Sequence, residues 1–174
     1  MADICREAGV SPGALYTYFV SKEDLIADLC GREMERFTHE LSRIAGQLEL
    51  LPALQSLAEQ YCCHEPISKV RLHVEIGTEA GRNPAIRRTI LETEQIIGRA
   101  IVALIEKEAA AGRFVPALPA ATIVQAMFAL GDGLFLKRAL DPDFDPKPII
   151  PAMMMMISAL LQPVRRDEAS CKKS

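Results

Sequence analysis

The stretch that most limits what this chain can fold into is 1–22, MADICREAGVSPGALYTYFVSK. Ile4, Cys5 and Ala8 give a first short helix an apolar face. Gly9 stands where a chain reversal needs positive φ, which glycine adopts without a Cβ penalty. Ser11 is a good N-cap, and Pro12 falls at the first helical position, where its missing N–H is no loss. The second helix, Gly13–Phe19, turns Leu15 and Phe19 toward a core and leaves Tyr16, Thr17 and Tyr18 on its other face. Two helices around such a turn form the helix-turn-helix pattern, whose second helix enters the DNA major groove.

The rest of the chain has helical periodicity. Ser21 and Asp24 have capping-box spacing, and Val20 with Leu25 has hydrophobic-staple spacing. Apolar residues then recur at Leu25, Leu29, Met34, Phe37, Leu41, Ile44 and Leu48, a helix of about seven turns that makes a rigid lever from the reading head. Pro52 opens a next helix, carrying Leu54, Leu57, Ala58, Tyr61 and Cys62 on one face. Pro66 starts another through Val70, Leu72, Ile76 and Ala80. Asn83 and Pro84 cap and open a long helix that Gly112 closes. Phe114–Leu118 is a connector, and Pro119 opens a helix to Leu140 that is apolar nearly all round, so both of its faces are expected to be buried. Asp141–Pro146 is a turn-rich loop, Pro148–Leu161 the last helix, and the polar tail from Gln162 is expected to be mobile.

The resulting fold class is all-α, with a helix-turn-helix unit over 1–45 that includes the start of the connecting helix, and a helical body over 46–174. Composition agrees: 49% of the residues are hydrophobic but only 5% aromatic, so the core is aliphatic and suited to helices. The net charge of −3 excludes a strongly basic, non-specific nucleic-acid binder. Within the opening stretch Arg6 and Lys22 only balance Asp3 and Glu7, so DNA contact must rest on local placement of donors. No basic start leads into an apolar run. The apolar stretch Ile149–Leu161 is broken by Pro151 and Ser158 and is too short to span a bilayer. Five cysteines without disulfide or zinc spacing suit a reducing compartment. A cytoplasmic protein without a membrane partner is the expectation.

Asp132 stands between Gly131 and Gly133 in an otherwise apolar helix, so it needs a partner or a ligand. Glu75 and Glu79 share a helical face, whereas His73 and Glu75 do not. These polar groups are either an interhelical charge pattern or the means of orienting a ligand. Met34, Phe37, Ile76, Leu104, Met127 and Phe128 are either plain core or, with His73 and Asp132, the lining of a pocket; methionine suits a pocket that accepts varied ligands. Cys62-Cys63-His64 offers adjacent residues that cannot easily face one metal ion. Cys30 and Cys63 are weighed as redox sensors without a supporting feature. No metal and no cofactor is expected, and no nucleophile motif, phosphate loop or HExxH points to an enzyme. The last two long helices carry more apolar surface than one chain can bury, which calls for a second copy, with Leu130, Leu134, Ile149, Met153, Ile157 and Leu160 as the interface.

The opening stretch also resembles the DNA-binding motif of TetR-type transcriptional repressors. Gly9-Val10-Ser11, Leu15-Tyr16-Thr17-Tyr18-Phe19 and Ser21-Lys22-Glu23 carry the resemblance; the remainder is similar in helical plan only. The family has a further helix, often behind a basic arm, ahead of the position of Met1, and against that pattern the chain is expected to be N-terminally truncated. The resemblance implies that Pro12 and Gly13 lie against the groove, with Gly13 allowing close backbone approach, and that Thr17 faces base edges. It implies that Ser11, Tyr16, Tyr18 and Lys22 bind mostly phosphates, with Lys22 at a helix N-terminus that suits an anion. It further implies a homodimer joined by a four-helix bundle, a palindromic operator in double-stranded DNA, and a small apolar or amphipathic effector. The expected function is a ligand-responsive repressor. The alternative is a helical dimer that binds a small molecule or partner and has lost DNA binding through the truncation.

Overall fold

The structure, a computed structural model, describes residues 1–46, 49–141 and 143–164. Leu48, counted above in the lever, and the tail beyond Val164 lie outside the described residues.

Local chemistry sets the element ends at the head. Helix α1 (Ala2–Ala8) stops at Gly9, which takes φ 64°, so that the N–H groups of Gly9 and Val10 donate back to the carbonyls of Arg6 (3.4 Å) and Cys5 (3.0 Å). Helix α2 (Pro12–Tyr18) starts on Ser11, whose Oγ accepts from the Ala14 N–H at 3.1 Å; Phe19 is its C-cap. Helix α3 (Lys22–Ala45) starts on Ser21, whose Oγ accepts from the Asp24 N–H at 3.0 Å. The expected staple is not there, because Val20 is exposed; its N–H instead donates to Asp24 Oδ2 at 3.1 Å.

The body follows as α4 (Leu50–Cys63), α5 (Ile67–Ala80), α6 (Pro84–Ala110), α7 (Ala120–Leu140), a 3₁₀ turn (Lys147–Ile149) and α8 (Ile150–Leu161). Pro52 falls inside the first turn of α4, where a backbone N–H has no helical acceptor in any case. Asn83 caps α6, its Oδ1 accepting from the N–H groups of Ala85 (3.0 Å) and Ile86 (3.4 Å).

Helix α6 is central and packs on α3, α4, α5 and α7, while α8 closes the far side against α4 and α7. The α6–α7 approach is close at Gly98, where a Cβ would stand 3.4 Å from Phe128 Cε2 and 3.6 Å from Val124 Cγ1. Most of the buried residues form two separate clusters. The main core joins Leu41 and Ile44 of α3 to α4, α6, α7 and α8. A small one, Ile26, Ala80 and Ile86, lies at the head end of α3 against the α5–α6 corner. Leu72, expected inside, is exposed on α5, while Val70 is fully buried. The first residues of the tail are also not loose. Val115 N–H donates to Gln162 O (3.0 Å) and Val164 N–H to Arg113 O (2.9 Å), so Gln162–Val164 lie along the connector.

By length and composition α7 is apolar enough to cross a membrane. It nonetheless packs against four other helices, α4, α5, α6 and α8, and carries Asp132 and Arg138 in contacts to the α5 and α4–α5 segments.

Candidate functional site

Helix α2 buries no residue, so its outer face is available to a partner. Tyr16 is 50% and Tyr18 79% exposed, and Ser11, Pro12, Gly13 and Thr17 are exposed beside them. Thr17 Oγ1 donates to the Gly13 carbonyl at 2.9 Å, which leaves its methyl and its lone pairs for anything outside. Helix α2 carries no charged side chain. Lys22 supplies the nearby cation, but it leans toward Glu79 of α5, with Nζ 3.9 Å from Oε2 and the side chain half exposed. The first turn of α3 holds Glu23 and Asp24, so this helix N-terminus already faces carboxylates and is a poorer anion site than its position suggests. Glu23 is held below the usual carboxylate range by hydrogen bonds, first from its own backbone amide and then from Asn83. Asn83 Nδ2 donates to Glu23 Oε1 at 2.7 Å, so one side chain both caps α6 and ties the start of α3 to the body.

In the body, two of the expected pocket residues meet. His73 of α5 and Asp132 of α7 stand 3.3 Å apart (Nε2 to Oδ1), and the His73 ring stacks on Phe135 with centroids 4.7 Å apart. Asp132 is therefore not a buried orphan; it is a half-exposed partner of α5. Glu94 of α6 comes near both, and partial burial together with the Asp132 charge raises its carboxyl above the ordinary range, with His73 acting against this. Three helices thus bring ionisable groups to one place. Next to it lies a cleft of about 250 Å³ lined by Gly77, Arg87, Ile90, Leu91 and Glu94. The other expected lining residues lie elsewhere. Phe37, Leu104, Met127 and Phe128 pack onto the main core, Ile76 onto the small one, and Met34 is half-buried on α3. Glu75 is exposed, and Glu79 pairs with Lys22 and with Arg82 at 3.5 Å. A larger cleft, about 440 Å³, opens between the end of α4 and the loop before α8, with Cys63, Arg71, Arg138 and Lys147 on its walls.

Burial raises the thiols of Cys30 and Cys63 above their usual range and pushes Cys62 up to about 11, so all three stay protonated at neutral pH. That does not favour Cys30 or Cys63 as a redox sensor. Cys62 faces the core while Cys63 faces the larger cleft, so the two adjacent residues diverge.

The expected dimer residues divide. Leu134, Met153 and Ile157 are buried in the chain's own core, and Leu130, Ile149 and Leu160 are partly buried against it. The opposite faces of the same helices point outward, with Met155 74% and Leu140 73% exposed and Leu136 and Met156 beside them. An all-round apolar helix offers no sequence signal for which face turns inward.

The spacing of the sequence also missed two residues. Tyr61 places its hydroxyl in the interior with no hydrogen-bond partner, its ring 5.0 Å from that of Phe37 and 4.7 Å beneath the Arg36 guanidinium. Glu65, between α4 and α5, is a buried carboxylate. The helical pattern placed Tyr61 on an apolar face without showing that its hydroxyl lacks a partner, and no local pattern announces Glu65.

Comparison with known proteins adds to this geometry. Residues 1–29 match the sequence model of bacterial regulatory proteins of the tetR family. The HTH-type transcriptional regulator UidR of Escherichia coli K12 is 34% identical over 88 residues, 49% of this chain and 43% of UidR. The chain thus matches less than half the length of that relative. Among solved structures, Salmonella enterica GusR superposes with a TM-score of 0.75 at 22% identity, covering 91% of this chain and 82% of that one. The transcriptional regulator FadR of Bacillus subtilis, solved in complex with stearoyl-CoA, gives 0.72 at 17% identity, covering 94% and 88%. The opening residues are thus similar to a tetR-type helix-turn-helix, and the whole chain shares the helical fold of these solved regulators.

Proposed function

We propose that this chain is a DNA-binding transcriptional regulator that acts as a homodimer, represses from a palindromic operator, and responds to a small effector. The observation that carries the reading is the outer face of α2, which presents Tyr16, Tyr18, Thr17 and Ser11 to solvent. Tyr16 and Tyr18 fix register on phosphates, and the Thr17 methyl and oxygen read base edges. Because α2 carries no cation, affinity depends only weakly on salt compared with a basic reader. The exposed apolar faces of α7 and α8, around Leu136, Leu140, Met155 and Met156, pair with a second copy, which gives the two-fold symmetry that a palindrome requires. The effector is apolar or amphipathic; the stearoyl-CoA bound by FadR, a neighbour in fold, supports that class. Its polar end meets His73, Glu94 and Asp132, where α5, α6 and α7 converge beside the small cleft. It shifts DNA affinity only by binding one head arrangement better than the other. The site of action is the cytoplasm, where the DNA is.

The test is enrichment of duplexes from a randomised DNA pool by the purified chain, followed by anisotropy with the enriched duplex. A palindromic consensus is expected, and Tyr16→Ala weakens binding by about tenfold or more while sedimentation still shows a dimer. Failure to enrich any duplex, or equal affinity for the Tyr16→Ala variant, removes the reading head from the account.

A further inference from the structure

Glu65 is the one buried charged residue among the described residues, 5% exposed, and nothing in the proposed DNA reading or effector site uses it. It sits in the corner between α4 and α5. Its Oε1 accepts from Arg36 Nη2 of α3, and its Oε2 lies 3.1 Å from Lys69 Nζ of α5. Both cations also hold Glu33 of α3, Arg36 at 2.9 Å and Lys69 at 2.6 Å. The quartet is electrically neutral and ties the middle of the lever to the corner. The backbone of the same corner is held from a third side. Arg138 of α7 donates from Nη1 to the Cys62 carbonyl at 3.0 Å and from Nη2 to the Glu65 carbonyl at 2.8 Å.

An ion network with one buried carboxylate and three partly exposed partners is a poor way to gain stability, because desolvation of Glu65 offsets much of the Coulombic gain and solvent screens the other charges. What it does supply is one geometry. Two charge-assisted contacts cross from α3 to the corner, Arg36 to Glu65 and Glu33 to Lys69, and being directional they favour one rotation of α3 more sharply than the non-directional apolar contacts at Ile26 and at Leu41. The network lies between those two clusters, midway along the helix that carries the reading head. We infer that Glu65 is a positioning residue: through Arg36 and Lys69 it sets the rotation of the α3 lever, and with it the spacing of the two heads on DNA. The inference rests on the DNA-binding reading above.

Two variants test it on the full chain with the enriched duplex. Glu65→Gln keeps the shape and removes the charge. The double variant Arg36→Met with Glu65→Leu removes both charges together, so that no uncompensated ion is left in the interior and the fold survives even where the single variant does not. Both are expected to bind the duplex about tenfold more weakly. The double variant is expected to keep the thermal midpoint of the parent, and its added hydrogen exchange is expected in α1–α3 and not in α6–α8. Parental affinity in the double variant overturns the positioning role, as does exchange that rises evenly through every helix. Tyr16→Ala, run alongside, separates the two ideas. If it weakens binding and the double variant does not, only the role of Glu65 falls; if neither does, the DNA reading has failed first.

Discussion

Replacing Tyr61 with phenylalanine should make the protein more stable. The Tyr61 hydroxyl is enclosed without a hydrogen-bond partner, and burial, opposed by the nearby Arg36, pushes its pKa up to about 12. An unsatisfied buried hydroxyl costs about 1–3 kcal/mol relative to the unfolded chain, where water satisfies it. Removing the oxygen leaves a gap on the order of one water probe, about 15 Å³. At about 24 cal/mol per Å³ that gap costs about 0.4 kcal/mol. The ring contact to Phe37 and the Arg36 face contact survive in phenylalanine, since neither uses the hydroxyl. The balance is a gain of about 1 kcal/mol, or a rise of about 2–4 °C in Tm for a chain of this size. The assay is urea unfolding of Tyr61→Phe and parent at one fixed protomer concentration, because association adds its own concentration-dependent term.

The pH dependence sharpens the test. Between the ordinary tyrosine value of 10.0 and about 12, the unfolded chain releases this proton while the folded chain keeps it. The unfolded state then binds fewer protons, so the Tyr61 contribution to stability is intact below pH 10 and declines as pH rises toward 12. The phenylalanine variant has no such decline, and its margin over the parent should widen across that window. A variant less stable than the parent at pH 7, or a margin that stays constant from pH 10 to 12, shows that the hydroxyl has a partner and refutes the reasoning.

Other outcomes follow from the packing. Met155→Glu places a charge in the centre of the exposed α8 face and should convert the proposed dimer to a monomer in sedimentation velocity without loss of helical circular dichroism; a dimer that survives locates the interface elsewhere. Gly98→Leu should destabilise by about 2–3 kcal/mol in urea unfolding, because the α6–α7 approach leaves only ordinary van der Waals room for a Cβ before Phe128 and Val124, and an unchanged midpoint refutes that close contact.

Much of the fold was legible because it is decided within a few residues. Gly9, Ser11, Ser21 and, in its capping role, Asn83 act through bonds to neighbours no more than four positions away, and the structure has the first turn, the two N-caps and the α6 start where their chemistry requires them. The position of Asp132 in an apolar helix suggested burial, but the residue is exposed, and its contact was not legible either, since His73 is 59 positions away and only the α5–α7 packing brings the two together. The same holds for Glu65, whose Arg36 contact spans 29 positions. Which face of α7 and α8 turns inward was undecidable from periodicity, because apolar residues lie on several sides of both helices; the core took Leu134, Met153 and Ile157 and left Met155 and Leu140 outside. Sequence alone determined where helices begin, end and reverse, since capping and turn energies are local. Tertiary structure decided which apolar side is core and which charges meet, since those depend on distances that chain order does not encode.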